Sequence, residues 1–194
     1  MSKNFFKLFF IITISIIIFT VIIFIPLISN SSDIKSEYTT NKSFILSNDF
    51  SWPTPGFTRI TSYFGYRKAP TTSASSYHSG IDIGAPEGST IIAAFPGTVT
   101  LTEFKGAGGY TITIVNDNYS ASYCHVSPDF IVHVGQSIYQ GQIIGYVGPK
   151  NVYGIIGNPY KDKNGNPTNG ATTGSHLHFT LKINNKAVNP LEHF

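Results

Sequence analysis

Leu8 to Ile28 (LFFIITISIIIFTVIIFIPLI) runs for 21 residues without a charge, and no other feature constrains this chain so strongly. As a helix it would extend about 31 Å, matching a bilayer core of ~30 Å. A core helix of a soluble domain this small needs some polar face toward water, which this run lacks. A cleaved signal peptide has an apolar core of roughly 7–15 residues and a small-residue cleavage site. This run is longer, closes on Ile25-Pro26-Leu27-Ile28, and has no Cys directly after it to take a lipid. An uncleaved signal anchor over 8–28 is expected. Lys3 and Lys7 precede the run and the next basic residue is Lys35. The positive-inside rule therefore puts residues 1–7 in the cytoplasm and everything beyond 28 outside the cell membrane, as a single-pass protein.

The rest of the chain is sparsely charged. Residues 29–194 hold 11 basic and 10 acidic side chains, about half the ~25% of charged residues usual in soluble domains. A net charge of about +1 excludes a nucleic-acid footprint and charge-driven disorder. One Cys, Cys124, cannot form an intrachain disulfide.

Residues 29–49 are polar and read as a stalk. From Phe50 the texture changes to short runs rich in Ile, Val, Thr, Tyr and Phe, separated by Gly, Pro, Asn and Asp. Residues 91–94, 97–102, 110–115, 120–125, 142–147 and 177–183 read as strands, and no stretch has a 3.6-residue apolar period. A mainly β domain over 50–194 is expected. Two Gly-Gln repeats, at Gly135-Gln136 and Gly141-Gln142, predict tight corners of a compact barrel or sandwich. Residues 149–173 hold the turn dipeptides Asn158-Pro159, Asn164-Gly165 and Asn169-Gly170 and read as a long surface loop or hairpin that could wall a groove. Asp162 to Asn166 faintly resembles a calcium loop, but Pro167 and Thr173 stand where that loop needs Gly and Glu.

The chemistry sits in the histidines. In Gly174-Ser175-His176-Leu177-His178-Phe179, two imidazoles share one face of a strand with Leu177 and Phe179 on the other. In His78-Ser79-Gly80-Ile81-Asp82, a fully extended strand would hold His78 and Asp82 about 13 Å apart; a bend at Gly80 would let them converge. Two His and a carboxylate make a zinc set with a fourth position left for water. Spacing leaves open whether His176 or His178 would be the ligand. His125 ends an apparent strand beside Cys124, and alternation places the two side chains on opposite faces, which argues against a Cys–His dyad and makes Cys124 a buried filler. His133 and His193 have no partners and read as structural. There is neither a G-x-S-x-G elbow nor an H-E-x-x-H helix.

Together these segments resemble the lysostaphin/LytM-type zinc endopeptidases of bacterial cell walls, from about Thr58 to the C-terminus. Ile60 to Arg67 (ITSYFGYR) is similar to the family's opening segment, His78-Ser79-Gly80-Ile81-Asp82 to its H-x-G-x-D motif, Tyr123-Cys124-His125 to its Y-x-H, and Thr173 to Phe179 (TGSHLHF) to its T-G-x-H-L-H-F. The resemblance implies Zn²⁺ held by His78, Asp82 and His178, with His125 and His176 catalytic. It implies a mainly β fold of the duplicated hybrid type, barrel-sandwich-like, and hydrolysis of peptidoglycan stem or cross-bridge peptides. Residues 149–173 depart from the family, which reaches T-G-x-H-L-H-F soon after the Gly145-Tyr146-Val147-Gly148 segment. The rival reading is a non-catalytic zinc-containing scaffold that binds the wall or a protein partner in an envelope complex, as membrane-anchored sporulation relatives do. All five site positions are retained here, which favours activity.

Overall fold

The computed structural model describes residues 50–70 and 74–194; the expected span over 8–28 and stalk over 29–49 lie outside them. Among the described residues no helix is long and apolar enough to cross a membrane. Regular structure there is β, with two single-turn 3-10 helices at Gly106–Gly108 and Pro190–Glu192. The strands are β1 (Ile60–Ser62), β2 (Gly65–Tyr66), β3 (Tyr77–His78), β4 (Ile81–Ile83), β5 (Thr90–Ile92), β6 (Gly97–Phe104), β7 (Tyr110–Val115), β8 (Tyr119–Cys124), β9 (Ser137–Ile138), β10 (Ile143–Tyr146), β11 (Leu177–Ile183) and β12 (Lys186–Val188). Eight of them form one sheet in the order β1-β4-β11-β8-β7-β6-β9, with β12 beside β11, while β5–β10 and β2–β3 are two-stranded ribbons. Every pairing is antiparallel.

Side-chain alternation divides the central sheet into two faces of different chemistry. One face is the core: Ile81 and Ile83 of β4, Ile112 and Ile114 of β7, Ala121 and Tyr123 of β8, and Leu177, Phe179 and Leu181 of β11 are all fully buried. Tyr123 keeps its hydroxyl there by accepting the Ala94 N–H at 2.8 Å, which removes the cost of a buried unpaired oxygen. The other face carries the alternate residues: Asp82 on β4, His178, Thr180 and Lys182 on β11, Ser122 and Cys124 on β8, and Thr111 and Thr113 on β7, all lining a single cleft. The same two-residue period thus builds the core and aims the polar groups.

The Gly-Gln corners are near copies of each other. Gln136 N–H donates to His133 O at 3.1 Å and Gln142 N–H to Tyr139 O at 3.1 Å. Each glutamine Oε1 in turn accepts the N–H three residues back, at 3.2 Å from His133 and 3.1 Å from Tyr139. The corners lead into β9 and β10, placing the second copy's strand in the β5–β10 ribbon.

Residues 149–173 contain no strand, only the isolated bridges Asn151–Thr168 and Lys161–Pro167. Asp162 organises the outer turn, accepting from the N–H groups of Asn164 and Asn166 at 3.0 Å and from Lys150 Nζ at 3.0 Å. The segment returns inward at Thr168-Asn169-Gly170, all buried.

Candidate metal centre

Three of the five expected site residues, His78, Asp82 and His178, are set by strand register. On the cleft face Asp82 pairs with His178 and His178 with Cys124. His176 immediately precedes β11, and His78 reaches the cluster from the β2–β3 ribbon. The His78–Asp82 convergence is achieved by a reversal through Ser79-Gly80. Gly80 serves it by close approach rather than by flexibility: a Cβ there would stand 2.3 Å from the Phe179 carbonyl oxygen.

The donor geometry suits a cation. His78 Nδ1–H donates to Tyr63 O at 2.8 Å, and His178 Nε2–H donates to the Thr180 hydroxyl at 3.0 Å. The Tyr63 carbonyl can only accept, which assigns the His78 proton to Nδ1; the Thr180 hydroxyl serves either role, and the Nε2–H form of His178 is the one that leaves Nδ1 able to bind a metal. His78 Nε2 and His178 Nδ1 are then bare lone pairs, yet they stand 2.8 Å apart. Asp82 Oδ1, also without a proton, lies 3.1 Å from the first and 2.8 Å from the second. In that tautomer three lone pairs converge, ready for a cation; without one, the imidazoles hydrogen-bond the Asp82 carboxylate instead. Ligands about 2.1 Å from one zinc ion at tetrahedral angles stand roughly 3.4 Å apart, so this triangle is close to the size an ion requires. The nitrogen and oxygen donors suit Zn²⁺, with outer-sphere partners already in place on both imidazoles. Asp82 Oδ2 meanwhile accepts from Arg67 Nη1 at 3.0 Å, and Arg67 also reaches the Ser62 hydroxyl. Burial alone would raise the Asp82 carboxyl, but hydrogen bonds to His176, His178 and His78 outweigh it and hold the group well below the usual carboxylate range. Burial pushes the His178 imidazole down.

His176 and His125 stand beside this triangle with their rings 4.7 Å apart. His176 Nδ1–H donates to Gly174 O at 2.8 Å, leaving Nε2 3.5 Å from Asp82 Oδ1. His125 Nδ1–H donates to Asn169 O at 2.6 Å, which leaves Nε2 as the free nitrogen. Burial, then repulsion from His176 and His178, lowers the His125 pKa to about 3, so the ring is neutral at physiological pH.

Strict alternation misplaces His125. It lies one residue beyond β8 with φ of 60°, in the left-handed region, and this turn brings it to the cleft that Cys124 also lines. The expected separation of the two onto opposite faces therefore fails, although Cys124 remains a buried filler, its thiol pushed up to about 11 chiefly by burial. His133 is exposed, and His193 packs edge-on against Phe50 at 6.0 Å.

Sequence reasoning missed Arg67 and Thr180, which hold Asp82 and His178, and above all Asn169. Fully buried, it accepts from the Tyr110 N–H at 2.8 Å and donates to Val126 O at 3.0 Å, while its own carbonyl holds His125. Gly109 makes room for it, since a Cβ there would stand 2.3 Å from Asn169 Oδ1. As one half of an Asn-Gly pair, Asn169 reads from sequence as a turn residue only. The loop expected to wall a groove does line the cleft, through Ala171 and Thr173, and it also reaches under the site to orient one of its histidines.

A β sheet presenting a His–Asp–His donor set beside two further histidines in one cleft is the arrangement of a metal-dependent hydrolase. The family profile described as Peptidase family M23 matches residues 76–190; the chain belongs to that family. DD-carboxypeptidase/endopeptidase Mpg of Neisseria meningitidis serogroup B is 32% identical over 136 residues, which are 70% of this chain and 27% of that protein. Peptidoglycan DD-endopeptidase ShyA of Vibrio cholerae serotype O1 is 28% identical over 143 residues, 73% of this chain and 29% of its own. The crystal structure of a zinc-containing peptidase from Vibrio cholerae superposes with a TM-score of 0.56 at 28% identity, covering 73% of this chain and 39% of that one. The chain spans under a third of the length of these curated relatives.

Proposed function

We propose that this chain is a zinc-dependent endopeptidase that hydrolyses peptide bonds of peptidoglycan stem or cross-bridge peptides. The observation that carries the reading is the meeting of His78 Nε2, Asp82 Oδ1 and His178 Nδ1, three metal-ligating atoms within 3.1 Å of one another. Membership of a peptidase family and a relative named peptidoglycan DD-endopeptidase support the substrate class.

His78, Asp82 and His178 would hold the ion. When bound, it supplies Lewis-acid polarisation of the scissile carbonyl and a lowered pKa for the attacking water. The remaining chemistry belongs to the chain. His125, locked by Asn169 with Nε2 free, is neutral at the working pH and takes the proton of the attacking water. Its burial makes the resulting imidazolium a strong acid, which gives that proton up to the leaving nitrogen. His176, fixed from behind by Gly174, presents Nε2 to the same space and, when protonated there, donates to the developing oxyanion. Arg67 and Thr180 orient Asp82 and His178.

The apolar run over 8–28, led by Lys3 and Lys7, supports a membrane anchor with residues 29–49 as stalk and 50–194 outside the cell. The paired Gly-Gln corners support the duplicated hybrid, barrel-sandwich-like architecture. The test is digestion of purified peptidoglycan by the full-length protein, with fragments identified by mass spectrometry. The proposal expects new amino termini that vanish on chelation and in His125→Ala. Intact peptidoglycan after incubation with the zinc-loaded wild type would favour the scaffold reading instead.

A further inference from the structure

Residues 50–194 hold nine basic and seven acidic side chains, a balance that gives no reason to expect an electrostatic preference. Their placement is uneven. Arg67, Lys68, Lys105 and Lys182 all line the cleft over the histidines, where Asp82 is the one acidic lining residue among the described residues. Asp82 is already engaged by Arg67 and the imidazoles. Lys105 has the exposed Glu103 at 3.6 Å. Lys182 is exposed and has no acidic partner within 4.0 Å among the described residues.

Strand register orders the cleft floor into rows. The first, across β4, β11, β8 and β7, is Asp82, His178, Cys124 and Thr111. The second, two residues along β11, is Thr180, Ser122 and Thr113, and the Thr113 and Ser122 hydroxyls are hydrogen-bonded at 3.1 Å. Lys182 stands two residues further along the same strand and the same face. A hydroxyl shelf next to the donor row, ending on an unpaired ammonium, is a surface for an extended peptide that carries a negative charge. Lys182 Cα lies about 13 Å from His178 Cα along β11. The flexible lysine stem covers several ångströms of that, which leaves a span of about two to four extended residues.

We propose that Lys182 binds a carboxylate of the peptide substrate, two to four residues from the bond that is cut, so that the cleft selects acidic peptides and orients them along β11. This rests on the hydrolase reading above. It is local: near-neutrality of the domain is kept by acidic residues placed elsewhere.

The experiment compares kcat/KM of the full-length zinc-loaded protein on two stem-peptide substrates that differ only in bearing free carboxylates or carboxamides. The wild type is expected to prefer the carboxylate form by about three- to fivefold at low salt, the size of one solvent-screened ion pair. At about 0.5 M salt the preference shrinks. In Lys182→Gln it disappears, with the loss in KM rather than kcat, and in Lys182→Glu it reverses. Lys163→Gln, outside the cleft, keeps it. A wild type without preference, or a preference intact in Lys182→Gln, would overturn this inference alone. Cleavage of neither peptide would overturn the hydrolase reading and this inference with it.

Discussion

Replacing Asn169 by alanine removes a side chain that occupies two backbone groups otherwise left without partners. The Tyr110 N–H loses its acceptor at 2.8 Å and the Val126 carbonyl its donor at 3.0 Å. Val126 is 1% exposed and Asn169 fully buried, so water does not readily replace the amide. Each buried group left unpaired costs about 1–3 kcal/mol, which sets the expected destabilisation from the two at about 2–6 kcal/mol. For a domain near 150 residues that lowers Tm by roughly 5–15 °C. The same change loosens the carbonyl that fixes His125, and a misplacement of about 1 Å at a catalytic group can cost 10²-fold. Activity should therefore fall at least tenfold at temperatures where the variant is still folded. Asn169→Asp keeps the acceptor but turns an oxygen toward Val126 O, and is expected to be no milder. Denaturant unfolding and differential scanning calorimetry read the stability, and steady-state kinetics well below Tm read the activity. A Tm within about 1 °C of wild type, with kcat within twofold, would refute the reasoning.

Thr180→Val removes the acceptor of His178 Nε2–H at nearly constant volume; zinc affinity should fall about 10–100-fold, measured by competition with a chromophoric chelator. Gly80→Ala forces a Cβ to 2.3 Å from the Phe179 carbonyl, so the β4–β11 pairing must shift; loss of both stability and zinc binding is expected, read by thermal unfolding and metal titration. Acid should destabilise the fold through His125. Its folded pKa of about 3 lies below the ordinary histidine value near 6.5, so only the unfolded chain takes up this proton as pH falls through that window. The contribution is intact above ~6.5 and is lost toward pH 3 at up to about 1.4 kcal/mol per pH unit. Unfolding free energies at pH 7.5 and 5 should accordingly differ by about 2 kcal/mol more in wild type than in His125→Gln; equal differences would contradict the assignment.

The long strands were legible because their period-two patterns are strong. In Leu177–Ile183 the residues alternate between a core row, fully buried at Leu177, Phe179 and Leu181, and the cleft row, and the hydrophobic alternation alone gives both. Among the two- and three-residue strands, β1, β2, β3, β9 and β12 were not legible, since so short a run carries no period, whereas β5 was found within the apolar run 91–94; β3 is defined by what it pairs with, at Gly65 and Tyr66. Of the site, His176 and His178 were placed by alternation, and Asp82 was brought to His78 by the bend expected at Gly80. His125 was misplaced because a single left-handed residue redirects a side chain without changing the sequence pattern. Asn169 acts through its backbone carbonyl and through two backbone partners 59 and 43 residues away, a relation no local motif encodes. The uneven distribution of lysines was likewise hidden, because composition sums charge over the surface and register decides where it gathers.

The central claim is that His78, Asp82 and His178 hold one metal ion and that His125 acts beside it without binding it. Metal content of the purified full-length protein, measured by mass spectrometry after zinc loading and gel filtration, tests this directly. The account predicts about one zinc per chain in wild type and in His125→Ala, and loss of that zinc in His178→Ala and Asp82→Ala. Zinc retained in folded His178→Ala, or lost from folded His125→Ala, would contradict it.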